Sequence, residues 1–77
     1  MEIAAGAKVK LKTDKILNME GYSSRFKSWV SEHRDKILTV EYENPGHKPL
    51  GLFCLKEDKS TIRWLINIRD VEVIKNG

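Results

Sequence analysis

Two histidines, one cysteine and a pair of glutamates are the residues in this chain whose types suit catalysis or metal binding. His33 and His47 have no Cys or His at metal-ligand spacing. His33 continues the apolar stripe of a helical segment and reads as a helix-end residue, and His47 falls in a turn. Cys54 lies in an apolar strand with no adjacent base and reads as a packed, inert thiol. Glu41 and Glu43 share one strand face. Paired carboxylates do acid–base work when one is desolvated, but these two read as an outer, solvated face. No serine stands in Gly-x-Ser-x-Gly, and Gly46 and Gly51 lack the context of a phosphate-cradling loop. No catalytic, metal or cofactor residue is assigned, and the chain is expected not to be an enzyme.

Binding is the remaining chemistry, and charge is its first clue. The formal net charge is +3, and it is unevenly spread. Residues 1–36 carry eight Lys/Arg against five Asp/Glu, whereas residues 37–77 carry six of each. A basic first half suits a polyanionic partner as well as a solvated surface. Aromatic rings beside basic groups are stacking platforms for nucleic acid. Tyr22, Tyr42 and Trp64 are the rings to consider, with Lys10, Lys12, Arg25 and Lys27 as the nearby cations. These seven form the candidate partner-binding set, although aromatics in so small a chain also serve as core.

The elements that must position them follow from periodicity. At 77 residues the chain holds one domain, residues 1–77, near the lower size limit for a self-supporting core. Lys8 to Lys12 alternates strictly, giving a strand with Val9 and Leu11 inward and the lysines outward. Residues 13–22 lack a clear period; Ile16, Leu17 and Met19 pin a loop to the core. Phe26, Trp29, Val30 and His33 recur at helical spacing, which predicts a helix from Ser24 to His33 with Ser23 or Ser24 as its cap. Leu38, Val40 and Tyr42 alternate with Thr39, Glu41 and Glu43 in a second strand. Asn44-Pro45-Gly46 marks a turn in which Gly46 supplies positive φ. Leu50 to Lys56 and Thr61 to Asn67 form the third and fourth strands, and Val71 to Val73 a short last one after a tight turn at Arg69-Asp70. No apolar run is long enough to span a bilayer, and Met1 to Gly6 has neither the basic nor the apolar region of a signal peptide. With one cysteine and no disulfide to staple it, the domain is expected in the cytoplasm.

Leu52 and Cys54 point one way on the third strand and Phe53 and Leu55 the other. Likewise Ile62, Trp64 and Ile66 oppose Leu65 on the fourth. A strand that is apolar on both faces needs a second cover. The helix face of Phe26, Trp29 and Val30 is the natural lid. If it falls short, the remainder is a sticky surface for a partner.

Four or five short antiparallel strands after one long early connection suggest a small barrel. The opening Gly6-Ala7-Lys8-Val9-Lys10-Leu11 is similar to the first strand of many bacterial and phage SH3-like barrels. Trp64 to Ile74 resembles their fourth strand, one-turn 3₁₀ helix and fifth strand. The resemblance implies a mainly β, five-stranded antiparallel SH3-like barrel with one short helix between its first two strands. Its helical excursion departs from the usual plain loop, and the Gly-x-Gly loop of nucleic-acid-binding relatives is absent. So is the Ala-Leu-Tyr-Asp-Tyr segment of proline-peptide binders. The expected function is therefore a binding or adaptor domain for a protein partner, with weak nucleic-acid binding through the basic half as the alternative.

Overall fold

Strict alternation at the start of the chain becomes β1 (Lys8–Leu11), with Val9 and Leu11 buried and Lys8 exposed. The computed structural model describes residues 3–74. Residues 13–22 hold a short helix instead of the expected loop: α1 (Thr13–Leu17) buries Thr13 and Ile16. Five residues are too few to display a helical period, so the sequence carries no readable signal for it. The amphipathic stripe forms α2 (Ser24–Glu32), with the Ser23 side chain accepting a hydrogen bond from the Phe26 amide at 3.2 Å. His33 caps the C-terminal end. Its Nδ1 is 2.8 Å from the Trp29 carbonyl, and its ring lies 4.5 Å from the Trp29 ring.

β2 (Leu38–Glu41) buries Leu38, Thr39 and Val40. The next segment departs from expectation. Asn44-Pro45-Gly46 opens a 3₁₀ helix, Pro45–Leu50, because Asn44 Oδ1 accepts from the Gly46 amide at 2.9 Å and proline suits the first helical position. Gly46 is not at positive φ. The left-handed residue is Gly51, which ends the 3₁₀ helix at φ 71° and sends the chain into β3 (Leu52–Leu55). The fourth strand shrinks to β4 (Ile66–Asn67), since residues 61–65 pair with no strand. A 3₁₀ turn, Ile68–Asp70, leads into β5 (Val71–Val73).

Among the described residues the five strands form one antiparallel sheet, ordered β4-β3-β2-β1-β5. It curls into a half-barrel whose concave side holds Val9, Leu38, Val40, Phe53, Leu55 and Ile66. Phe26, Trp29 and Val30 of α2 close that concave side. The helix therefore covers the inner face of β3 and not both faces. Cys54, on the outer face opposite Glu41, is buried instead beneath the charged group around Arg63.

Candidate interaction groove

The segment between β3 and β4 owes its shape to one carboxylate. Asp58 is buried, accepting from the Ser60 amide at 3.0 Å on Oδ1 and from the Trp64 amide at 2.9 Å on Oδ2. These local bonds take the Trp64 N–H away from any ladder, so residues 61–65 loop past the edge of the sheet. Burial opposes the charged form of Asp58. The hydrogen bonds from Ser60 and Trp64 outweigh it and hold the acid below its ordinary pKa.

Within this loop the side chains divide by face. Arg63 turns back over the sheet: Nη1 lies 2.5 Å from Glu41 Oε1, and Nε and Nη2 lie 2.8 and 2.6 Å from Glu43 Oε1. These two carboxylates, Glu41 first, hold the guanidinium more firmly charged than usual. Burial, followed by the charge of Glu43, pushes the Cys54 thiol upward, away from the reactive thiolate. Ile62 and Leu65 are left outward, 86% and 47% exposed. Ile62 thus does not join Ile66 on an inner face, because the alternation assumed for a strand is absent here.

Two hollows of about 460 and 530 Å³ adjoin this loop, and Trp64 and Leu65 line both. The first is floored by Tyr22, Phe26 and Leu52 and rimmed by Arg69; the second is bounded by Arg25, Ile62 and Arg63. Phe26 links the aromatics, its ring centroid 5.0 Å from Tyr22 and 5.2 Å from Trp64. The wall of the first hollow is fixed by Asp70, only 2% exposed, whose Oδ2 accepts from the Tyr22 hydroxyl at 2.5 Å. Its Oδ1 accepts no hydrogen bond and faces Lys15 Nζ at 3.5 Å. Lys15 Nζ also donates to the Arg69 carbonyl at 2.8 Å, tying α1 to the 3₁₀ turn.

Of the seven residues singled out in the sequence, Tyr22, Arg25 and Trp64 come together here. Lys27 is half-buried on α2 and lines neither hollow. Lys10 stands opposite Glu72 and Lys12 follows β1, three strands away from β4. Tyr42 packs on Phe53 at 6.4 Å with its hydroxyl donating to the Ile3 carbonyl, and Lys48 Nζ lies 6.0 Å from its ring centroid. Arg69 and Asp58 were not anticipated as site residues, and Leu65 was anticipated only as part of an apolar strand face in need of a cover. The Asp58-Lys59-Ser60 spacing, an Asx-turn signal, is the one clue that could have exposed the loop.

Among the described residues no group of three or more His, Cys, Asp and Glu side chains is placed to hold a metal ion, and no helix is long and apolar enough to cross a membrane. Comparison of the chain with protein-family models, with curated proteins and with solved structures finds no match in any of the three.

Proposed function

We propose that this chain is a non-enzymatic binding module, an SH3-like half-barrel of the cytoplasm, and that the groove beside Trp64 receives a segment of a protein partner. The carrying observation is that exposed Ile62 and Leu65 flank half-buried Trp64 in the loop and line the two hollows, whereas the other exposed large apolar residues, Ile37, Leu50 and Val73, line neither. Adjacent apolar side chains held out by a fixed loop suit a partner's side chains. The basic residues of the first half support a nucleic-acid partner less well. Lys10, Lys12 and Lys27 line neither hollow, so of those first-half cations only Arg25 stands with Tyr22 and Trp64.

Selection of twelve-residue peptides from a display library on the intact chain tests this. Recovered peptides are expected to shift the backbone amides of residues 60–67, and Leu65→Asp is expected to weaken them about tenfold or more. Leu65 is half exposed, so that variant keeps its melting temperature. Peptides that bind wild type and Leu65→Asp equally would overturn the proposal.

A further inference from the structure

We infer that the segment this groove takes is acidic: a short apolar stretch with Asp or Glu on both flanks. The inference rests on the module reading above and concerns which partner chemistry fits the same surface. The lining of the two hollows holds three arginines and one acid. The acid, Asp70, is buried and already engaged by Tyr22 and Lys15. Arg63 is fully engaged by Glu41 and Glu43. Arg25 and Arg69 remain. Both are exposed, and among the described residues neither guanidinium has a carboxylate within ion-pair distance.

They line different hollows that share Trp64 and Leu65, Arg69 the first and Arg25 the second. A ligand lying over both hollows meets the apolar Trp64–Leu65 surface and two guanidinium groups without a carboxylate partner, Arg69's beside the Tyr22 hydroxyl. Arginine forks match carboxylates in a bidentate geometry, so acids flanking the apolar stretch complete the charge pattern. A lysine-flanked segment would meet like charge instead.

Rings and arginines together also describe a phosphodiester site, but the rings here are set for packing. Tyr22 meets Phe26 at 62° and Trp64 meets Phe26 at 56°, so neither ring stacks flat on Phe26, and the outermost apolar groups, Ile62 and Leu65, are aliphatic. Aliphatic side chains seat a peptide's apolar residues better than a nucleobase.

The experiment uses the peptides recovered on the intact chain, their Lys-for-Asp/Glu counterparts and a fifteen-residue oligothymidylate, each titrated by fluorescence polarisation. The recovered sequences are expected to carry acids on both flanks and to lose affinity as salt rises. Arg25→Glu with Arg69→Glu should weaken them about tenfold or more and shift preference to the lysine-flanked counterparts. Arg69→Gln, which adds no charge beside Asp70, should weaken them in the same direction. Leu65-dependent peptides with neutral or basic flanks, or a double variant within about twofold of wild type, would overturn the acidic-segment inference and leave the module standing. Failure to recover any Leu65-dependent peptide would overturn both. Tighter binding of the oligothymidylate than of any peptide, lost in the double variant, would make the groove a nucleic-acid site instead.

Discussion

The Tyr22 hydroxyl donates to Asp70 Oδ2 at 2.5 Å, joining the entry of α2 to the 3₁₀ turn before β5 across 48 positions of sequence. The phenol is the carboxylate's hydrogen-bond donor, because Oδ1 has only the longer ion pair with Lys15. Tyr22→Phe should therefore lower stability by about 1–3 kcal/mol, the usual cost of leaving a buried acceptor unpaired. The bond to Asp70 and then burial raise the phenol's pKa in the fold. A raised pKa contributes stability that is fully present below the ordinary tyrosine value of about 10 and is lost as pH rises through the folded value. Thermal melts between neutral and alkaline pH should show this decline in wild type and a flatter profile in Tyr22→Phe.

Glu57 gives the opposite pH limb. Burial opposes its ionised form, but Oε1 accepts from the Thr39 amide at 2.7 Å and Oε2 from the Thr39 hydroxyl at 2.8 Å, and its pKa is lowered on balance. Asp58 is lowered for a similar reason. Depressed carboxylates contribute stability above their ordinary values near about pH 4, and that stability is lost as pH falls through the folded values. The melting temperature should drop as pH is taken from about 5 to about 3. Glu57→Gln should shorten that drop, which melts followed by circular dichroism at each pH will show.

Gly46 in the Pro45–Leu50 helix and Gly51 just after it should behave differently on substitution by alanine. Gly51 is left-handed, and a Cβ there would sit 3.0 Å from Ile68 Cγ2, so Gly51→Ala should cost about 1–3 kcal/mol. Gly46 has ordinary φ and meets only the Asn44 side chain at 3.2 Å, so Gly46→Ala should change stability by less than about 1 kcal/mol. Parallel denaturant titrations of the two variants compare them directly.

Where one period ran unbroken, the sequence was readable: Val9 and Leu11 in β1, Leu38 and Val40 in β2, and the Phe26-Trp29-Val30 stripe of α2 all bury as their spacing requires. The strand-rich, five-stranded architecture was legible for that reason. What escaped was set by single hydrogen bonds that periodicity does not register. Asn44 turned a presumed reversal into a 3₁₀ helix, and Asp58 unpaired most of a presumed strand. The groove lies at the second of these places. Tyr22, Arg25 and Trp64 were recognisable by type, but Leu65 and Arg69 become neighbours of those residues only through a loop whose path is decided by one buried acid.

β1 pairs with β5 as well as with β2, setting Val9 opposite Val73 near the far end of the described chain. Joining those strands closes nearly the whole sequence into one loop, whereas β3 and β4 meet across a short connection. Loop closure costs about 0.6 kcal/mol more for each doubling of length, so the order of assembly is biased. The β2–β3–β4 meander can form while β5 is still free, and β1–β5 pairing follows late, after the core has gathered. Substitutions in β5 such as Val71→Ala should then mainly speed unfolding, and substitutions in β3 should mainly slow folding. The β1–β5 pair would act as the kinetic latch of the half-barrel.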